Sequence, residues 1–149
     1  MCGEGRRDMI VWRTSDGRPM PTITIRDETL TGQSIAEHPL ELLTERVTVR
    51  ELIRSRVYQE VDDYNRRRPE AFNGLVRPTD AEQSLNGYRM KGGRTIDWRT
   101  QFDRACEAFE HNGFFILIDE RQPESLDDEV TLTPETRVSF VKLVPLVGG

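Results

Sequence analysis

The stretch that most constrains the fold of this sequence is a long amphipathic helix that begins at Thr48. Thr48 and Glu51 match a capping box, in which each side chain accepts a hydrogen bond from an amide that the first helical turn leaves free. Apolar residues then recur at steps of three or four, namely Val49, Ile53, Val57, Val61 and Tyr64, with Leu52 beside them. This pattern predicts a helix from Thr48 to Arg67, which Pro69 ends. A helix with one apolar stripe needs a sheet or another helix on which to bury that stripe.

A β-hairpin is predicted directly before this helix. In Pro21–Arg26 the sequence PTITIR alternates threonine with isoleucine, which is the period of a half-buried strand. Thr31–Gly32 then predicts a turn, because glycine adopts backbone angles that other residues avoid. The returning strand covers Ser34–Leu42, and we expect it at a sheet edge because Pro39 has no amide hydrogen to donate.

The second half of the chain alternates a loop, a helix and strands. Residues 68–95 carry several prolines and glycines and few periodic apolar positions, so they predict a long, mobile loop or insertion. A second helix is expected at Asp97–Asn112, with Gly113 as its left-handed cap. The run FFILI at Phe114–Ile118 is apolar on both faces and predicts an interior strand. Arg137–Val144 is the expected final strand.

Length and composition favour one domain. The chain has 149 residues, and we expect a tail at residues 1–19, a domain at residues 20–149 and a C-terminal tail at 145–149. The net charge of −5 argues against a protein that coats nucleic acid. No apolar run reaches the roughly 20 residues that a membrane helix needs. These features predict a cytoplasmic protein that has neither a membrane nor a nucleic acid as its partner.

The residue types that usually carry catalysis or bind metals form no recognisable set. His38 and His111 lie far apart without metal-ligand spacing, and each is interpreted as a surface histidine. Cys106 falls beside the apolar face of the second helix, which favours a buried structural thiol. The run Asp127–Glu129 favours an acidic loop over a cation site. We therefore expect no metal, no catalytic residue and no enzymatic activity of the chain's own.

Two short sequences resemble the ubiquitin-like family. Thr29–Gln33, TLTGQ, is similar to the first turn of ubiquitin. Val144–Gly149, VPLVGG, resembles the tails of the molybdopterin and thiamine sulfur carriers and those of bacterial ubiquitin-like modifiers. A hairpin that leads into a helix, with a last strand placed beside the first, is the β-grasp arrangement. The resemblance therefore implies an α+β, ubiquitin-like β-grasp fold with an inserted loop and a second helix.

The resemblance also implies chemistry at the C-terminal glycines. An adenylating enzyme would use ATP and magnesium to activate the carboxylate of Gly149, so this chain would need no cofactor of its own. Gly148 would let the tail thread a narrow channel, because it has no Cβ atom to block attack on the neighbouring carbonyl. Leu146 and Val147 would guide the tail into that enzyme. A conjugating enzyme, a deconjugating protease and a target protein complete the implied partners.

Three functions stay open at this point. The first is a protein modifier joined to its targets through an amide or an ester bond. The second is a sulfur carrier that bears a thiocarboxylate at Gly149, and the third is a non-catalytic interaction module in which the glycines are incidental. If the chain is a modifier that links to itself, Lys91 and Lys142 are its only lysine acceptors. Lys91 lies in the predicted insertion and is the expected self-acceptor.

Overall fold

The computed structural model describes residues 22–42, 44–84 and 87–143. It contains strands β1 (Thr22–Glu28), β2 (Ser34–Glu41), β3 (Arg46–Thr48), β4 (Ala81–Ser84), β5 (Gly87–Met90), β6 (Phe114–Ile118), β7 (Glu129–Thr131) and β8 (Val138–Lys142), and helices α1 (Val49–Arg67) and α2 (Trp98–Glu110). A short 3₁₀ turn at Lys91–Gly93 follows β5. Within these ranges, no helix combines the length and the apolar character needed to cross a bilayer. The expected tail at residues 1–19 lies outside the described residues.

The main sheet is mixed and has four strands in the order β2-β1-β8-β6. β1 pairs antiparallel with β2 and parallel with β8, and β8 pairs antiparallel with β6. With helices α1 and α2 beside this sheet, the fold is α+β, as the sequence predicts. The predicted hairpin is confirmed, and β2, which carries Pro39, lies at an edge of the sheet.

The prediction of an interior strand at Phe114–Ile118 is wrong. Among the described strands, β6 forms the other edge of the four-stranded sheet, and β8 lies in the interior. Four of the five residues of β8 are buried, whereas β6 alternates buried with half-buried positions. A sequence run shows how apolar the two faces of a strand are. It does not show which strands pair with it, because that depends on contacts between distant parts of the chain.

The capping box at the start of α1 forms as predicted. The Thr48 amide donates to Glu51 Oε1 at 2.9 Å, and the Glu51 amide donates to Thr48 Oγ1 at 3.1 Å. At the other end, Arg68 adopts a left-handed φ of 51°, and its amide donates to the Tyr64 carbonyl at 2.7 Å. The helix therefore begins and ends where local sequence rules place it.

The apolar stripe of α1 forms one core with the inward face of the main sheet. Along β1 the buried positions alternate with more exposed ones, as the pleat requires. The central residues of this core are Ile23, Ile25, Leu40, Leu52, Ile53, Val57, Val61, Ile116, Val138 and Phe140. Burying an aliphatic or aromatic side chain contributes about 1.5–3 kcal/mol of transfer free energy, so this layer supplies most of the driving force for folding.

The segment at residues 68–95 is more ordered than a mobile loop. It contains the β4–β5 hairpin, and a further bridge links Phe72 to Tyr88. Phe72, Leu75 and Ala81 are buried, so the segment is anchored by apolar side chains that the sequence pattern does not reveal. The sequence pattern misses them because they are isolated apolar residues that follow no helical or strand period.

The acidic run after β6 is tied to the start of α1. The amides of Val49 and Arg50 donate to the carbonyls of Asp128 and Leu126, each at 2.9 Å. The Arg50 side chain also donates to Asp127 Oδ1 at 3.1 Å. β7 then pairs antiparallel with β3 directly before α1. The expected acidic loop thus supplies acceptors to a helix end, whose first amides lack partners within the helix.

The second predicted helix is confirmed as α2. The Asp97 side chain caps it by accepting from the Thr100 amide at 3.3 Å. At the other end, Asn112 and not Gly113 takes the left-handed conformation, with a φ of 61°. Asparagine tolerates these angles better than most residues. A Cβ atom on Gly113 would lie only 3.2 Å from Ala108, so this glycine is suited to a close approach to the helix.

Candidate functional site

The main sheet has one end at which the last strand stops and the first hairpin turns, called here the exit end. β8 runs parallel to β1, with Glu28 opposite Val141. The strands therefore finish together at Lys142 and at the turn Thr29–Gln33. Within this turn the Thr29 amide donates to the Gln33 carbonyl, and Gly32 has a φ of 86°. Leu143 is the last described residue, and it leaves the fold at this end.

Exposed apolar side chains belong to the exit end. Leu30 in the turn is 63% exposed, and Ile35, beside the irregular pairing of β1 with β2, is 56% exposed. Leu143 is 37% exposed. Large apolar side chains on a protein surface are unremarkable when they are scattered singly. These side chains lie near one end of the sheet, which makes that end a candidate contact surface for another protein.

A buried ion pair lies beneath the exit end, between β1 and α1. Arg56 Nη1 and Nη2 donate to the two carboxylate oxygens of Asp27, at 2.5 and 2.8 Å. The guanidinium also lies 4.7 Å from the centre of the Phe140 ring. Both side chains are almost fully buried. Charges in such a place are tolerated because a two-point hydrogen-bonded pair offsets much of the cost of removing them from water.

Further charged groups surround this pair and link it to the neighbouring elements. Arg56 Nε donates to Glu60 Oε1 at 3.1 Å, and Glu60 Oε2 accepts from the Leu75 amide at 2.9 Å. His38 Nε2 lies 3.2 Å from Asp27 Oδ2. Lys142 Nζ lies 3.7 Å from the same oxygen. The network therefore joins the hairpin, α1, the final strand and the inserted segment.

Burial and charge act against each other on the titratable groups of this network. Burial raises the pKa of Asp27, but the hydrogen bonds from His38 and Arg56 and the charges of Arg56 and Lys142 outweigh it, so the pKa stays below its ordinary value. Burial lowers the pKa of Lys142, and the attraction of Asp27 only partly opposes this. Asp27 is thus a buried anion held by fixed donors, and its carboxylate is not presented to a substrate.

The two lysines differ in accessibility. Lys142 Nζ donates to the Gly74 carbonyl at 3.0 Å, and its side chain is only 26% exposed. Lys91 is exposed at the start of the 3₁₀ turn after β5. An acceptor amine has to reach an activated carbonyl on another protein. Of these two side chains, that of Lys91 is the better presented.

The predicted conjugation and tail-recognition residues lie outside the described residues. They are Leu146, Val147, Gly148 and Gly149. The structure therefore describes where the chain departs toward the tail and not the tail itself.

The structure also brings together a charged network that our sequence interpretation missed. Period-two alternation places Asp27 on the same face as Ile23 and Ile25, and that signal could have found it.

The surroundings of the remaining candidates, Cys106 and His111, indicate structural roles. Cys106 is half-buried on α2, and burial raises the pKa of its thiol, which makes it a weaker nucleophile at neutral pH. His111 contacts the Glu107 carbonyl on its own helix, with Nδ1 at 2.9 Å. In the described ranges, no cluster of three or more His, Cys, Asp or Glu side chains could hold a metal ion.

Comparison of the chain with protein-family models, curated proteins and solved structures gives no match.

Proposed function

We propose that the chain is a ubiquitin-like β-grasp modifier, activated at the Gly149 carboxylate and then joined to target proteins. The observation that carries this proposal is the strand order β2-β1-β8-β6, with β8 parallel to β1. A hairpin, a helix packed on the sheet and a last strand beside the first make up the β-grasp arrangement. In this arrangement the chain leaves from an interior strand, at the end of the sheet that also carries the TLTGQ turn.

The number of residues between the described fold and Gly149 would suit a reactive tail. Six residues, 144–149, follow Leu143. A fully extended chain covers at most about 3.3–3.6 Å per residue, so the tail can reach about 20 Å from the sheet. That reach lets the carboxylate enter another protein's active site while the domain stays outside. Leu146 and Val147 would contact the entrance, and the glycines would pass through it.

The chemistry of the proposed reaction explains the two glycines. A carboxylate is a poor electrophile until ATP converts it to an acyl-adenylate with release of pyrophosphate. A thiol of the activating or conjugating enzyme then attacks the Gly149 carbonyl and displaces AMP. An amine or hydroxyl of the target finally displaces that thiol. Each attack needs an unobstructed approach to the carbonyl, which residues without Cβ atoms provide.

The exit end is the proposed docking surface for the activating enzyme. Its exposed side chains Leu30, Ile35 and Leu143 belong to the region from which the tail departs. A partner that covers them would hold the tail in a defined direction. A conjugating enzyme and a deconjugating protease would bind the same tail in later steps. Because these reactions consume ATP, we place the protein in the cytoplasm.

The first test is activation in a purified system. The full chain, its cognate adenylating enzyme, ATP and magnesium should exchange labelled pyrophosphate into ATP. Deleting Gly149 should abolish exchange, and Gly148→Val should slow it, while both variants keep the wild-type melting temperature. Thr24→Ala changes an exposed side chain on β1 and is the matched control, which should behave as wild type. Exchange that persists without Gly149 would refute the proposal.

Adding sulfide, the conjugating enzyme and candidate target proteins to this system separates a modifier from a sulfur carrier, because sulfide would displace AMP from the acyl-adenylate of a sulfur carrier. A sulfur carrier would accumulate a species in which one carboxylate oxygen of Gly149 is replaced by sulfur, and it would form no adduct with other proteins. A modifier would pass to a thioester and then to a target. Intact-protein mass spectrometry with and without thiol reducing agents distinguishes these products.

A further inference from the structure

Three aromatic side chains form a cluster along the seam between α1 and α2, called here the aromatic seam. Tyr58 of α1 meets Trp98 of α2 edge-on, with ring centres 5.2 Å apart, and the ring centre of Phe102 lies 6.5 Å from that of Trp98. Tyr58 is 47% exposed, whereas Trp98 and Phe102 are half-buried. Single exposed apolar side chains are ordinary, but three adjoining aromatics make a continuous apolar surface. The aromatic seam shares no residue with the exit end.

Two arginines belong to the same surface and lie over the Trp98 ring. The Cζ atom of Arg54 is 5.1 Å from the ring centre, and that of Arg99 is 5.6 Å from it. Both side chains are exposed. A guanidinium over an aromatic ring is attracted by the ring, and its N–H donors lie in its own plane, at its edges. The contact with Trp98 therefore holds both cations at the aromatic seam and leaves donors available to an acceptor from outside.

The other arginines of α1 and α2 each have a polar partner. Arg50 pairs with Asp127, Arg56 with Asp27, Arg66 with Asp62 and Arg67 with Asp63, and Arg104 donates to the Arg77 carbonyl. Within the described part of the chain, Arg54 and Arg99 form no ion pair and no side-chain hydrogen bond.

The acidic side chains near these two arginines do not pair with them. Glu51, one turn before Arg54, is held by the capping box of α1. Asp97 caps α2 through Thr100, and Asp103, one turn after Arg99, forms no ion pair with it in the described residues. The aromatic seam is therefore bordered by two cations that lack a carboxylate partner.

Charge and shape together indicate what covers this surface. Phosphates of a nucleic acid also bind arginine, but a net charge of −5 on the chain opposes an extended polyanion. An apolar centre with aromatics and arginine is instead typical of contacts between proteins. The complementary ligand is an acidic segment with an apolar side chain among its carboxylates. That side chain would cover the aromatic seam while the carboxylates reach the guanidiniums.

We propose that the aromatic seam, together with Arg54 and Arg99, is a docking surface for an acidic segment of a partner protein. A carboxylate can accept two parallel N–H bonds from one guanidinium, which gives the contact direction as well as charge. The Trp98 ring shields one side of each cation from water and so strengthens its attraction to an anion. The surface selects this partner independently of any reaction at Gly149.

The test is an NMR titration of the full chain with the peptide acetyl-Glu-Asp-Leu-Glu-Asp-amide. The Trp98 indole N–H and the backbone amides of Tyr58 and Phe102 should shift together and saturate. The amides of Leu30 and Leu143 at the exit end should stay unchanged. The uncharged peptide acetyl-Gln-Asn-Leu-Gln-Asn-amide should produce no saturable shift. Replacing the leucine of the acidic peptide with serine should weaken binding, because the aromatic seam then loses its apolar contact.

Matched variants distinguish these two arginines from positive charge in general. A double variant, Arg54→Gln with Arg99→Gln, should weaken binding by about fivefold or more, because it removes both guanidiniums. The control, Arg66→Gln with Arg67→Gln, removes the same charge from exposed arginines that already have carboxylate partners, and it should bind as wild type does. Both double variants change exposed side chains and should keep the wild-type melting temperature.

Four results would overturn the proposal. The first is the absence of a saturable shift with the acidic peptide, and the second is undiminished binding by the folded Arg54→Gln, Arg99→Gln variant. The third is binding of a phosphoserine peptide of the same length more than about tenfold more tightly, which would assign the surface to phosphorylated partners. The fourth is the same set of shifts when the chain is concentrated without peptide, which would assign it to a second copy. Deleting Gly149 should leave the titration unchanged, so this proposal and the proposed function fail separately.

Discussion

The Asp27–Arg56 pair is the most consequential contact between single residues in the described structure. It is a two-point contact at 2.5 and 2.8 Å inside the apolar layer between β1 and α1. Removing two charges from water costs free energy that their attraction only partly returns. The pair is therefore better understood as fixing how α1 sits on the sheet than as a large net source of stability. Removing only one partner should destabilise the fold strongly, because the other charge then stays buried without its counter-ion.

The first prediction concerns the loss of one partner. Asp27→Asn should lower the free energy of unfolding by about 3–5 kcal/mol, because Arg56 then keeps a buried charge with only part of its compensation. Glu37→Gln removes one partner of the exposed Arg26–Glu37 pair and should cost at most about 1 kcal/mol. Urea denaturation of the wild type and both variants measures the difference. Similar small losses in both variants would contradict a buried, hydrogen-bonded pair.

The second prediction is a dependence on acid. The pKa of Asp27 is lower in the folded protein than its unfolded value of about 3.9. Its contribution to stability is therefore fully present above about pH 4 and is lost as the pH falls through the folded-state pKa. The stability gap between wild type and Asp27→Asn should narrow below about pH 4. A gap that stays constant from about pH 7 to pH 3 would show that Asp27 does not titrate in this way.

The sequence contains part of this residue-level information. The alternation Ile23, Ile25, Asp27 marks an acid on a buried face, and Arg56 lies next to Val57 within the apolar stripe of α1. Each of these is a polar residue at a position that the period assigns to the core. That the two meet depends on how α1 crosses β1, which no local period encodes.

Among the elements, the inserted segment differs most from the sequence prediction. Phe72 is buried and packs edge-on against Tyr64 of α1, with ring centres 5.5 Å apart. Gly74 lies so close to the Phe72 ring and Glu60 that an added Cβ would collide with them. Its carbonyl accepts from Lys142, so the segment is attached to both α1 and β8. It contributes to the core.

The third prediction tests that attachment. Phe72→Ala should reduce the free energy of unfolding by about 3–5 kcal/mol, as is typical of removing a buried aromatic ring. Glu70→Ala, an exposed change two residues away, should lie within about 0.5 kcal/mol of wild type. Thermal and urea unfolding provide the comparison. A negligible effect of Phe72→Ala would restore the interpretation of residues 68–95 as a long, mobile loop.

The fourth prediction concerns the 3₁₀ turn that carries Lys91. If the modifier links to itself through a side chain, Lys91 should be the acceptor, because Lys142 is held by Gly74 and shielded. Because the chain has only two lysines, most conjugates should be single additions. Replacing Lys91 with Arg should remove any self-linked ladder. Conjugates made in cells with the whole pathway can be mapped by mass spectrometry. A ladder that survives this replacement would point to another acceptor.

Local sequence rules predicted the elements better than their arrangement. The hairpin, both helices and the strand positions around FFILI and Arg137–Val144 follow from period, capping and turn residues. The same rules missed β3, β7 and the β4–β5 hairpin. Those strands have three or four residues each, too short to establish a period. β3 and β7 also pair with each other across the fold, which a sequence window does not contain.

At the scale of the whole molecule, the parallel pairing of β1 with β8 connects structure with proposed function. It places the last strand inside the sheet, so Leu143 directly follows a strand that is paired on both sides. The network around Asp27 fixes Lys142 directly before this point. A tail that begins at a well-held position can be presented in a reproducible direction, which an activating enzyme requires. The strand order is evidence from the structure for the proposed function, whereas the terminal glycines are evidence from the sequence alone.

The most direct test of the central claim is the identity of the bond made by Gly149. Trypsin cleaves after Lys142, so a conjugated target should keep the remnant LVPLVGG, Leu143–Gly149, on an acceptor side chain. Conjugates should be enriched from the native host under denaturing conditions and their peptides sequenced by mass spectrometry. The account predicts this remnant joined through the Gly149 carbonyl to an amine or hydroxyl of other proteins. Finding Leu143–Gly149 solely as a peptide with a free carboxylate, in cells that express the complete pathway, would contradict it.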